Sequence, residues 1–303
     1  MEGVLLIDKP PGLTSHDVVA RARKRLAERR IGHTGTLDPF ASGLMVLCVG
    51  RATRLARFFF ATSKTYIATI HFGYSTDTYD RTGQPIGGVR DVAPELSELE
   101  SGLASFQGRQ MQVPPVYSAK KIGGTRLHRL ARRGIAVTPL PVEVEFHTIE
   151  LLELDGPRAR IEVSVSSGTY IRSLAQDLGH RLGMGAHLAE LRRIRVGSFL
   201  VSEALDMTGL LDGAPTAGEA LLAPNAALRD LSEVRLEPAA AKRLAHGRTP
   251  SWEEVTFPGD MRGVAGPVRV LDPGGELLAV AALDAERELL RPVLVWARTP
   301  ETP

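Results

Sequence analysis

Gly32-His33-Thr34-Gly35-Thr36-Leu37-Asp38-Pro39-Phe40-Ala41-Ser42-Gly43 is a turn-rich stretch with one carboxylate at its centre, and the apolar run Leu44–Val49 follows it directly. Glycine and proline flank the charge on both sides, so the backbone is shaped to present Asp38. The same residues also fit an ordinary turn, in which Asp accepts hydrogen bonds from local N–H groups and Pro fixes φ. Segments far from this stretch decide between the two readings.

Working outward, Gly3–Asp8 reads as a short buried strand that Pro10-Pro11-Gly12 ends. Thr14 or Ser15 can cap a helix whose apolar positions Val18, Val19, Ala22 and Leu26 share a face, leaving Arg21, Arg23, Lys24 and Arg25 largely outward. Leu44–Val49 reads as a strand directly after the Asp38 loop. Tyr66 to Phe72 alternates, with Tyr66, Ala68, Ile70 and Phe72 on one face, and Gly73 stops it. Residues 91–106 read as an acidic helix around Leu96, Leu99 and Leu103. Val142–Leu154 and Arg158–Ser166 are strand-like, and Ser167-Gly168-Thr169 turns into a helix from Tyr170 to Leu182. Strands mixed with isolated helices, without regular βαβ alternation, imply an α+β domain with a mixed, largely antiparallel sheet. Around 206–228 the chain becomes rich in Gly, Pro and Ala and reads as a linker. Short strands at Val234–Leu236, Val268–Leu271, Glu276–Ala282 and Leu290–Trp296, with a turn at Asp272-Pro273-Gly274-Gly275, predict a small β-rich module from residue 229 to 303.

Composition narrows the chemistry. At 303 residues, 43% hydrophobic and 24% charged, the chain is an ordinary globular protein. Its N-terminal apolar stretch is far too short for a secretory or membrane segment and carries no basic leader, so a cytoplasmic protein without membrane contact is expected. The single Cys48 can form no internal disulfide, and the eight histidines include no HxxxH or HExxH pair. Neither a Walker loop nor a G-x-G-x-x-G fingerprint is present, so the expectation is side-chain chemistry with no metal or organic cofactor. Net charge is only +2 but unevenly spread, at −2 from residue 229 onward and +4 upstream. Basic clusters lie at Arg21 to Arg30, at Lys120, Lys121, Arg126, Arg129, Arg132 and Arg133, and at Arg192, Arg193 and Arg195. Three such clusters in one domain favour a polyanionic partner over solvated faces alone.

Seven segments in order then carry a family likeness: Gly3 to Gly12, the Asp38 loop, Lys64-Thr65-Tyr66, Gly73 to Asp80, Pro114 to Lys121, Ser167 to Leu174 and Gly185 to Arg193. Together they resemble the TruB family of tRNA pseudouridine synthases over most of residues 3–198. The resemblance implies the pseudouridine synthase fold over residues 1–228, with an RNA-gripping insertion at about 114–141, and a β-barrel resembling the RNA-binding PUA module over 229–303. It implies isomerisation of uridine 55 in the T loop of tRNA, with the T stem-loop as partner and no obligatory protein partner. A synthase acting on another RNA, or an RNA-folding chaperone, are the competing readings.

Carried over residue by residue, the likeness makes Asp38 the nucleophile, attacking C1′ of the ribose or C6 of the base, with Arg172 as its cationic partner. Tyr66 would stack on the target base and is a candidate for removing the C5 proton. His33 would wedge into the RNA loop, Tyr170 would wall the pocket, Leu191 would touch the uridine, and Lys9 would support the Asp38 loop. Lys120, Lys121, Arg126, Arg129, Arg132 and Arg133 would follow the RNA backbone. One departure stands out: His128 takes a place where many members carry Tyr.

Overall fold

The computed structural model describes the chain except residues 119, 120, 123, 124, 127–136, 138, 213–217, 247, 258–265, 285 and 298–303, and except the side chains of residues 121, 122, 125, 126 and 212. The chain forms two compact units, Met1–Leu221 and Leu222–Pro303.

The first unit is built on a nine-stranded sheet of β1 (Gly3–Lys9), β2 (Ile31–His33), β3 (Ser42–Val49), β4 (Lys64–Phe72), β5 (Gly108–Gln112), β6 (Val142–Asp155), β7 (Arg158–Val165), β8 (Ala186–Val196) and β9 (Phe199–Leu200). The order along it is β1-β3-β8-β4-β7-β6-β5, with β2 on β3 and β9 on β8. Every pairing is antiparallel except β3 with β8, which makes the sheet mixed and largely antiparallel. In β4 the alternation predicts the burial: Tyr66, Ala68, Ile70 and Phe72 are buried, while Ile67, Thr69 and His71 are partly exposed.

Helix α1 (Ser15–Leu26) begins at a reciprocal cap in which the Asp17 N–H donates to the Thr14 hydroxyl and the Thr14 N–H donates to the Asp17 carboxylate. Its inward Val18, Val19, Ala22 and Leu26 join the face of the sheet that also receives Leu99 and Leu103 of α2 (Leu96–Ala104) and Leu174 and Leu178 of α3 (Ile171–Arg181). Helix α2 is shorter than the pattern predicts, because Pro94 biases its predecessor toward extended backbone and the helix starts only beyond it. Leu96 is left exposed in the first turn.

The Gly/Pro/Ala-rich stretch differs from a plain linker at its start. Leu205 exchanges backbone hydrogen bonds with Leu6 and Asp8 of β1, and Met207 and Leu210 of α4 (Met207–Asp212) are buried in the same core. Those two apolar side chains were the signal in a stretch otherwise read by its small residues.

The second unit carries a five-stranded sheet, ordered β11-β10-β12-β13-β14, from β10 (Glu233–Leu236), β11 (Val255–Thr256), β12 (Pro267–Leu271), β13 (Leu277–Asp284) and β14 (Leu289–Val295). Asp272 to Gly275 makes the predicted hairpin, with Gly275 at φ +87°, the region glycine enters without strain. Among the described residues no ladder joins the two edge strands. Among the described residues a bridge from Ser251, just before β11, to Leu289 of β14 links the two edges. Helix α5 (Pro238–Ala245), which the strand pattern missed, packs Ala240, Ala241 and Leu244 into this core.

Candidate active site

The Asp38 loop runs from the end of β2 to the start of β3, and its neighbours hold it by its backbone. The buried Ser15 hydroxyl, at the head of α1, accepts from the Leu37 N–H at 2.9 Å and donates to the Leu37 carbonyl at 3.0 Å. The Pro39 carbonyl accepts from the Gly12 N–H at 2.7 Å and from Lys9 Nζ at 3.4 Å. Lys9 also donates to the carbonyls of Pro10 and Leu13, both at 2.9 Å. It is fully buried, and that burial lowers its pKa to about 8 even though the Asp38 charge pulls the other way. The turn itself is closed by the Ala41 N–H donating to the Asp38 carbonyl. The Asp38 carboxylate caps none of its own loop's N–H groups among the described residues, which sets it apart from an ordinary Asp-Pro turn.

That carboxylate faces Arg172, on the first turn of α3. Arg172 Nε lies 3.0 Å from Asp38 Oδ2, and a terminal N–H donates to Oδ1 at 3.2 Å, a two-point pairing. The rest of the guanidinium is also engaged. It donates to the Thr78 carbonyl at 3.1 Å and the Tyr117 carbonyl at 2.9 Å, and reaches Asp80 Oδ2 at 3.5 Å. Five acceptor contacts around five N–H donors leave Arg172 one orientation. The helix that carries it is fixed by Gln112 of β5, whose side-chain amide both accepts from the Tyr170 N–H and donates to the Tyr170 carbonyl.

Asp38 keeps 31% of its side-chain surface accessible. Its surroundings still withhold enough water that burial raises its pKa above the ordinary carboxylate value. The Arg172 charge lowers it and the Asp80 charge raises it further. The cation therefore holds the carboxylate in place and pulls its pKa down, but burial outweighs that pull and the net direction is upward.

Tyr66 and Leu191 share the buried cluster with Leu37 and Phe40 of the loop, Tyr66 on β4 and Leu191 on β8. Tyr66 sits directly opposite Arg193 in the β4–β8 ladder, so the two project from the same face of the sheet. Tyr170 is half-buried at the N-cap of α3. His33 closes β2 opposite Leu47, so it leaves from a strand end and not from within the loop. Lys120, His128, Arg129, Arg132 and Arg133 lie outside the described residues. The backbones of Lys121 and Arg126 pair with each other in a two-stranded hairpin.

Two residues were not singled out by sequence reasoning. Asp80 is buried, and its Oδ1 accepts from the Thr78 hydroxyl, the Thr82 N–H and the Thr82 hydroxyl. The pattern Thr78-x-Asp80-x-Thr82 was its visible signal. Arg193, counted above only as part of a basic cluster, is 2% exposed and turned inward. It donates to the carbonyls of Leu44 at 2.7 Å, Gly35 at 3.1 Å and Thr36 at 3.4 Å, clamping both ends of the Asp38 loop. Gly43 lets β3 approach it: a Cβ there would lie 2.2 Å from the Arg193 carbonyl oxygen, at φ +107°. Among the described residues no group of three His, Cys, Asp or Glu side chains is placed to hold a metal ion, and no helix is long and apolar enough to cross a membrane.

This geometry has close relatives. The chain superposes on a chain of the crystal structure of a Cbf5-Nop10-Gar1 complex with a TM-score of 0.76 at 27% identity, over 98% of this chain and 85% of that one. A chain of an H/ACA RNP bound to a substrate RNA containing 2'-deoxyuridine gives 0.76 at 25% identity, over 99% and 87%. An α+β mixed sheet presenting one guanidinium-held carboxylate, matched along the whole chain by such structures, defines a pseudouridine synthase fold. The family descriptions that match are the TruB family pseudouridylate synthase N-terminal domain, over residues 23–171, and the tRNA pseudouridylate synthase B C-terminal domain, over 172–231. The tRNA pseudouridine synthase B of Gloeobacter violaceus is 42% identical over 97% of this chain and 99% of its own, and that of Symbiobacterium thermophilum 45% over 83% and 84%. The chain belongs to the TruB family of pseudouridylate synthases.

Proposed function

We propose that this protein isomerises uridine 55 in the T loop of tRNA to pseudouridine in the cytoplasm, with Asp38 as the nucleophile. The observation that carries the reading is a carboxylate bound at two points by one buried arginine, in a chain 41–45% identical to several proteins named tRNA pseudouridine synthase B. The reaction breaks the C1′–N1 bond, turns the base and joins C1′ to C5; the C5 proton then leaves and the freed N1 takes up one, so substrate and product have the same atoms. Such a rearrangement needs a nucleophile, a dry pocket and a proton acceptor, and no electron donor or acceptor.

In this reading Asp38 attacks C1′ or C6 while Arg172 fixes its orientation. Tyr66 stacks on the flipped base and takes the C5 proton, and Tyr170 and Leu191 line the pocket. His33, on its strand end, holds the uridine's place in the loop open. Lys9 keeps Pro39, and with it Asp38, in position. Lys120, Lys121, Arg126, Arg129, Arg132 and Arg133 grip the phosphates from the 114–141 insertion. The functional domains divide at about residue 228, a little beyond the Leu221–Leu222 boundary of the compact units, and the second is a PUA-like RNA-binding barrel. The bridge from Ser251 to Leu289 supports a sheet curling toward closure.

The test is tritium release from 5-tritiated uridine in unmodified tRNA, by the purified chain alone and by Asp38→Asn. Release by the wild type and none by the variant is expected. Wild-type protein that binds tRNA without release would reduce the reading to a chaperone. Release that needs an added guide RNA would move it to another substrate.

A further inference from the structure

The basic end of α1 is not used by the site described so far. From Arg21 through Arg30, Arg21, Lys24, Arg25, Arg29 and Arg30 are all exposed. The two acids nearby are engaged: Asp17 caps α1 through Thr14, and Glu28 accepts from the Arg30 N–H at 2.8 Å. Arg23 is partly used as well, donating to the Ile31 carbonyl at 2.7 Å. No carboxylate of the described residues lies within ion-pair distance of the five cations. Cations in the last turn of a helix favourably offset its dipole. That accounts for Lys24 and Arg25, but Arg29 and Arg30 lie beyond the helix and Arg21 lies a turn earlier.

The place of this patch is informative. The N-terminal end of α1 is hydrogen-bonded to the Asp38 loop through Ser15 and Leu37. The helix is 12 residues long, so its basic end stands about 18 Å from that loop at 1.5 Å per residue. The chain then returns toward the loop by way of Arg29, Arg30 and β2, ending at His33. A strand of RNA with its target base at Asp38 has its phosphates within that reach, on the order of five nucleotides along the strand.

We propose that the exposed basic end of α1, Arg21, Lys24, Arg25, Arg29 and Arg30, is a second RNA-backbone surface that binds phosphates of the tRNA strand continuing from the target loop. This rests on the tRNA reading above and extends it to where the substrate lies outside the pocket. The contacts are to phosphate only, so they set affinity and register and carry no base preference.

The experiment compares wild type with the triple variant Arg21→Glu, Lys24→Glu, Arg25→Glu, whose residues are exposed and outside the core. Filter binding of unmodified tRNA is measured across a salt series, alongside steady-state tritium release. The variant is expected to bind at least tenfold more weakly at low salt. Its plot of log affinity against log salt is expected to flatten by about 2, since each lost phosphate contact removes roughly 0.7–0.9 from the slope. KM should rise while kcat at saturating tRNA stays within about twofold. An unchanged salt slope overturns the proposal, as does a fall in kcat with KM and slope unaltered. So does loss of binding to phosphatidylserine vesicles with tRNA binding intact, which would make the patch a membrane surface. A single Arg25→Lys variant should keep the wild-type slope. Wild-type turnover is read separately, so failure of the tRNA reading itself appears as an inactive wild type whatever the slopes do.

Discussion

Asp38 and Asp80 approach the same guanidinium from two different turns, and they are not equivalent. Asp80 is buried to 5% side-chain exposure, and one of its oxygens takes three hydrogen bonds from Thr78 and Thr82. Asp38 has 31% of its side chain accessible and, among the described residues, accepts from Arg172 alone. One carboxylate is saturated by its own turn, and the other has lone pairs to spare and a way out. What separates the anchored acid from the one we propose as nucleophile is the number of donors its own turn supplies. Charge and partner are the same for both.

The largest effect should therefore fall on one side of the pair. Asp38→Asn is expected to lower tritium release from 5-tritiated uridine tRNA by at least about 10⁴-fold, as loss of a nucleophile does. Asp80→Asn should cost roughly 10- to 100-fold in kcat, the scale of a misplaced partner. Equal losses would erase the distinction. The asparagine at 38 should leave the fold at least as stable near neutral pH. The folded pKa of Asp38 is raised, so its contribution to stability is greatest when protonated and is lost as pH rises through that pKa.

Removing the shared cation comes next. Arg172→Met leaves two carboxylates facing each other, and unfolding in urea should show a loss of about 3–5 kcal/mol. In the double variant Arg172→Met with Asp80→Asn, part of that loss should return, because one uncompensated charge is gone.

The pH profile sharpens the comparison further. With Asp38 as the proposed nucleophile, ionisation is required for attack, so activity should fall as pH drops through its raised pKa, at a higher pH than for an unperturbed carboxyl. The Asp80 charge is one of the influences raising it, so the acid limb of kcat/KM in Asp80→Asn should move to lower pH. A limb that stays in place would uncouple the two acids. The smallest effect belongs to Thr82→Val, which removes one hydroxyl from Asp80 but keeps the Thr82 N–H. About 1 kcal/mol of stability, and little activity, should be lost in thermal unfolding and turnover assays.

The parts that were legible in the sequence depend on neighbours in the chain. The α1 cap uses Thr14 and Asp17, three residues apart, and the burial of β4 follows its two-residue alternation. The hairpin before β13 uses four consecutive turn residues. At the site, the glycines and Pro39 around Asp38 showed that a carboxylate was being presented, and the family likeness supplied Arg172. Arg193 was misjudged for the opposite reason. A run of Arg192, Arg193 and Arg195 reads as surface charge, yet the middle residue falls on the core face of β8 and is satisfied by carbonyls about 150 residues away. Burying a cation is costly unless its donors are met, and a composition count cannot see acceptors contributed by another strand.

The sequence by itself determined the local geometry, the α+β class and the identity of the presented carboxylate, because caps, turns and alternation are short-range consequences of residue type. Tertiary structure alone decided how that carboxylate is held and why it differs from Asp80. Those outcomes depend on which donors converge from β1, α3 and β8, and on how much water their packing leaves around each acid.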